Sequence, residues 1–136
     1  RGASKGVTGG EIIIEGNVKN ELGHAMAGST MVVGGKCGDF TGVNMISGTI
    51  LTFGEMGIRT GAGMKRGSII CMNNIEVLPT FSYDCMYTPI YIKLLFKYIK
   101  ENTKIKIDEK FFSGSFHRWS GDAIEMNRGE LLVYAA

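Results

Sequence analysis

Short apolar, β-rich runs return along the first half of the chain at a fixed separation: Ile12 to Ile14, Met31 to Val33, Ile50 to Thr52 and Ile69 to Cys71. Each starts 19 residues after the one before. The polar intervals between them carry the same period. Gly16, Gly35 and Gly54 form one column, Gly23, Gly42 and Gly61 a second, and Met26, Met45 and Met64 a third. A looser column runs through Gly10, Ser29, Gly48 and Gly67. Fixed self-similarity of this kind marks stacked repeats. This one is too short for a helix pair and too long for a heptad, but it suits one turn of a β-solenoid, whose equivalent strands lie about 4.8 Å apart. The pattern therefore predicts an all-β fold, a parallel β-helix of 19-residue coils over residues 1–72.

Alternation within the strands divides their side chains between two faces. With Ile12, Ile14, Met31, Val33, Ile50 and Ile69 pointing into the bore, Ile13, Val32, Leu51 and Ile70 point outward. Strands apolar on both sides are buried on both sides, so the outward column is a candidate interface, to be covered by a helix of this chain or by a partner. Met26, Met45 and Met64 are assigned to the interior, where a flexible thioether fills a narrow bore. The glycine columns mark corners that need positive φ or close approach to the next coil.

The period stops after Met72, and residues 73–102 read as a connection followed by one amphipathic helix. Thr88 is expected as its N-cap and Pro89 as its first residue. Helical phasing places Lys93, Lys97, Lys100 and Lys104 on one stripe and Tyr91, Leu94, Leu95, Tyr98 and Ile99 on the other side. In the closing segment, 103–136, Met126 precedes Gly129 as Met64 precedes Gly67, and Gly129 to Tyr134 echoes Gly10 to Glu15. The chain is expected to rejoin the sheet there.

Composition narrows the classes. The 136 residues carry 44% apolar side chains, 20 glycines and 2 prolines. Those proportions exclude collagen, argue against disorder and suit one domain. A net charge of +2 singles out no partner class, and the lysine stripe reads as a solvated face, so neither nucleic acid nor membrane is expected. Without a leader-like segment or a bilayer-length apolar run, a cytoplasmic protein is expected. Cys37, Cys71 and Cys85 have no metal-binding spacing and read as buried, reduced thiols. Val7 stands one period before Met26, so the sequence is expected to start inside a repeat, whose open end either residues ahead of Arg1 or another surface would cover.

Chemical motifs are sparse. The glycines of Gly61 to Gly67 belong to the repeat and are misspaced for a dinucleotide loop, and Gly35-Lys36-Cys37 lacks the remainder of a phosphate loop. His24 reads as a polar corner residue. Asp84 and Cys85 form a nucleophile-like pair with no base nearby. His117, Arg118 and Trp119 are the better contact candidates, since Arg and Trp anchor interfaces. No catalytic, cofactor-binding or metal-binding residue is assigned.

The glycine coils, the segment Pro79-Thr80-Phe81-Ser82-Tyr83-Asp84-Cys85-Met86-Tyr87-Thr88-Pro89, and Trp119-Ser120-Gly121-Asp122 with Gly129-Glu130-Leu131 together resemble the glycine-repeat subunit of archaeal formylmethanofuran dehydrogenase. The coils alone are also similar to the C-terminal domain of the glutamate synthase large subunit. The first resemblance implies a right-handed β-helix with no cofactor of its own. It further implies an assembly role in a cytoplasmic enzyme of methanogenesis that reduces CO2 onto methanofuran. Molybdenum or tungsten pterin and iron-sulfur clusters are then expected only in partner subunits, where catalysis resides. Family members commonly carry more coils ahead of this region. A self-associating module (a homo-oligomer) and a small-ligand binder are the competing readings.

Overall fold

A computed structural model describes residues 10–123, 126 and 128–135. Its strands are β1 (Glu11–Ile14), β2 (Ser29–Val33), β3 (Gly48–Thr52), β4 (Gly67–Cys71), β5 (Ser82–Tyr87), β6 (Ser115–Gly121) and β7 (Gly129–Ala135). Two helices, α1 (Ile90–Asn102) and the single turn α2 (Glu109–Phe112), lie between β5 and β6. All seven strands form one sheet in the order β1-β2-β3-β4-β7-β6-β5.

The first four strands pair in parallel and in register with the repeat: Ile12 with Met31, Met31 with Ile50, Ile50 with Ile69. The echo at the end of the chain continues this stack. β7 pairs parallel to β4 with Gly67 opposite Gly129 and Ile69 opposite Leu131. β6 and then β5 extend the sheet by antiparallel pairing.

Registry also holds at the corners. Gly35 N donates to Gly16 O, Phe40 N to Ile58 O, Asn44 N to Ala62 O, and Lys65 N to Met45 O, each bond running from one coil to the next. Side chains join in at the same spacing: Asn20 Oδ1 accepts from Asp39 N at 2.7 Å, and Asp39 Oδ1 from Ile58 N at 3.0 Å. Each coil thus supplies the donors and acceptors that a lone coil would leave to water.

Two apolar clusters flank the sheet. The bore holds Met26, Met45 and Met64, all fully buried, with Met31, Ile50, Ile69, Cys71, Leu131 and Val133. The methionine and glycine columns interlock. A Cβ on Gly48 would lie 2.8 Å from the Met26 methyl, one on Gly67 2.8 Å from that of Met45, and one on Gly129 2.7 Å from that of Met64. Phe81 closes the bore beside Gly61 and Gly121. Met126, three residues before Gly129, does not join this column and stands 72% exposed. Val7 lies outside the described residues.

On the outer face, Val32, Leu51, Ile70 and Leu132 pack against Ile92, Phe96 and Ile99 of α1, with Ile13 partly buried beside them. The cover on the outward column is therefore the chain's own helix. α1 itself differs from the expected pattern. Pro89 is the N-cap and Ile90 the first helical residue, while the Thr88 hydroxyl bonds Ser115 Oγ instead of the helix. The buried stripe is Ile92, Phe96 and Ile99, with Leu95 partly buried, whereas Leu94 faces solvent and Tyr91 and Tyr98 lie at the margin, partly covered. Aromatic contacts complete the seal: Phe96 meets Phe53 at a tilt and Phe112 edge to face, and Tyr134 meets Phe111 and Phe116 edge to face. α2, held to α1 by Lys100 and Glu109 at 3.1 Å, is an element the pattern did not predict.

Candidate interaction surface

Successive side chains of a strand point to opposite faces, and this rule separates the three contact candidates near the end of the chain. In β6, His117 and Trp119 share the bore-side face and Arg118 takes the other. Register brings Tyr83 of β5 opposite Trp119, and Met86 opposite His117. Tyr83 meets Trp119 edge to face at 5.2 Å, and its hydroxyl is 3.0 Å from His117 Nδ1. Trp119 and Phe81 both belong to the bore's apolar packing, so the inner side of this group is anchored. Its outer side is open. Tyr83 is 50% and Met86 57% exposed, at the edge of the sheet.

Arg118 does something else. Its Nε donates to Glu130 Oε2 at 2.8 Å, and its Nη1 to Ser120 Oγ and to Asp84. Glu130 Oε1 in turn accepts from Ser68 Oγ at 2.6 Å and from the Tyr91 hydroxyl at 3.1 Å. One carboxylate thereby ties β4, β6, β7 and α1 together. Its hydrogen bond, then its charge, holds the Arg118 guanidinium above its ordinary pKa. Burial, with the Glu130 charge second, raises the Tyr91 phenol. The network is a clasp inside the chain that holds Arg118 and Asp84.

The other candidates fall to structural roles as well. His24 Nδ1 lies 3.0 Å from Glu21 Oε1 at a coil corner. Gly61 and Gly63 adopt positive φ at a corner, and Gly63 N donates to Asp122 Oδ2 at 3.0 Å. Burial pushes the Cys37 thiol up to about 11 and that of Cys71 up to about 12, so both stay protonated at neutral pH. Cys85, expected to be buried, is exposed because it sits on the edge strand. Among the described residues, no three His, Cys, Asp or Glu side chains gather closely enough to hold a metal, and no helix is long and apolar enough to cross a membrane.

Sequence reasoning missed Tyr83 and Met86 as surface residues. Their spacing, which skips one residue too many for simple alternation, conceals the shared face: the register shifts between Tyr83 and Cys85. It also missed Lys65, Arg66 and Arg128, which line one cleft with Ile46, Ser47 and Met126. The signal for those was present, since Arg66 precedes Gly67 as Arg128 precedes Gly129.

No protein-family model matches the chain, and no curated protein matches it. Among solved structures, a chain in the formyltransferase/hydrolase complex of Methylorubrum extorquens, crystallised with methylofuran, is similar at 22% identity and a TM-score of 0.48. The match covers 96% of this chain and 72% of that one.

Proposed function

We infer that this chain is a structural subunit which docks a partner on the β5–β6 face, in the manner of the glycine-repeat subunit of formylmethanofuran dehydrogenase. The observation that carries the reading is the open cluster of Tyr83, Met86, His117 and Trp119. The motif on which the family resemblance rests divides into two parts here. Phe81, Gly121 and Asp122 are buried and serve the fold. Tyr83 and Met86 keep about half of their surface open although Tyr83 packs inward on Trp119 and His117, and that open half is the surface offered to a partner. Tyr and Trp side chains, with two side-chain torsions each, lose little entropy on docking, and a central aromatic anchor is worth roughly 2 kcal/mol or more.

Catalysis and the molybdenum or tungsten centre belong, on this reading, to the partners. Self-association by strand addition is the weaker alternative, because the irregularity between Tyr83 and Cys85 breaks the regular edge that such pairing needs.

The test is the native mass of the untagged protein from its own cell extract, with metal analysis of the particle, for wild type and a Tyr83→Lys, Met86→Lys variant. Wild type should elute in a large molybdenum- or tungsten-containing particle, and the variant as a folded free chain. A wild-type chain running alone, or a variant that stays in the particle, overturns the reading.

A further inference from the structure

Away from the β5–β6 face, at the corner that leads into the strands, lies a cleft of about 350 Å³ lined by Ile46, Ser47, Lys65, Arg66, Met126 and Arg128. The repeat explains why its charges gather. Ser47 and Arg66 are equivalent positions one period apart, immediately before β3 and β4. Arg128 immediately precedes β7, and β7 sits on β4 with Gly129 opposite Gly67. Arg66 and Arg128 therefore occupy the same corner on adjacent rungs, whose backbones lie about 4.8 Å apart. Lys65 stands beside them.

Like charges directly opposite across neighbouring strands repel one another. Three other cations are paired: Arg118 with Glu130 and Asp84, Lys100 with Glu109, and Lys36 with Glu55. Lys65, Arg66 and Arg128 have no such partner among the described residues, and no described carboxylate lines the cleft. Ile46 and Met126, 43% and 72% exposed, give it an apolar rim. Ser47 adds a hydroxyl able to donate.

We propose that this cleft binds an oxyanion of two or more negative charges, a phosphate ester or a polycarboxylate, whose apolar part rests on Ile46 and Met126. The anion spans two rungs, placing one oxygen pair on each guanidinium in the planar geometry that Arg favours. An anion that binds the folded register and not the unfolded chain also stabilises the coils.

The test is calorimetric titration of the full chain at low salt with pyrophosphate and, separately, with citrate, for wild type, Arg66→Gln, Arg128→Gln and Lys93→Gln. Lys93 removes an equal charge from the exposed helix stripe. At least one anion should bind saturably, with affinity falling as salt rises. Each Arg variant should lose about tenfold or more, as expected for a lost charged hydrogen bond. Lys93→Gln should bind as wild type does. Tighter binding of pyrophosphate assigns a phosphate ester, and of citrate a polycarboxylate. Saturable binding of neither anion overturns the proposal, as does equal weakening by Lys93→Gln, which would reduce the effect to net charge.

Discussion

Gly54 and Gly42 look interchangeable in a repeat, yet different constraints hold them. A Cβ on Gly54 would collide with the backbone of Gly35 in the coil beneath, although Gly54 has no unusual φ. Gly42 has φ +72°, and a Cβ there would lie 2.5 Å from Ile69 Cδ1. Close approach explains Gly35 and Gly54, and left-handed backbone the column of Gly23, Gly42 and Gly61. The buried thiols give the residue scale its measurable consequence. Folding holds Cys71 protonated up to about 12, against an ordinary 9.0, because burial penalises the thiolate. An unfolded chain releases that proton near pH 9 while the folded chain keeps it, so between these values the folded state binds more protons. The stabilisation is thus complete below about pH 9 and is lost by about pH 12, at up to roughly 1.4 kcal/mol per pH unit. Unfolding by urea at stepped pH should show Cys71→Val losing less stability across this window than wild type. An identical decline in the two proteins would contradict the assignment.

At the scale of elements, α1 is the lid on the outward column, and Leu51 is the place to test it. Leu51 is fully buried between the sheet and the helix. Leu51→Asp would strand a carboxylate there, at a cost of about 4 kcal/mol or more. The urea midpoint should fall accordingly, with Leu51→Ala in between, and an unchanged midpoint for Leu51→Asp would show that the lid does not seal. The repeat made this much readable in advance: coils, bore, outward column and the return of the chain at Gly129 all follow from one period of local contacts. The helix face was harder to read. Tyr91 and Tyr98 look like core residues by hydropathy, but their hydroxyls reach Glu130 and Glu11 across the surface while Ile92 and Phe96 fill the interface. The antiparallel pairing of β5 and β6 was not legible at all, because it depends on contacts between distant segments with no period to betray them. That pairing decides the site, since it sets Tyr83 opposite Trp119 and Met86 opposite His117.

For the molecule as a whole, the sheet joins two regimes. Its parallel half is covered on both sides and tied corner to corner, while its antiparallel margin ends in β5, whose residues are nearly all exposed. Stability in stacked repeats sums over neighbours, so the middle coils should be the most resistant to opening and β5 the least. A partner seated on Tyr83, Met86, His117 and Trp119 would reverse that order locally. Amide hydrogen exchange of the chain, isolated and within its native assembly, tests this most directly. The account predicts slow exchange in β2 to β4 in both samples, and fast exchange in β5 that becomes slow only in the assembly. If β5 is as protected as β3 in the isolated chain, or if assembly leaves residues 82–87 exchanging as before, the docking face has been put in the wrong place.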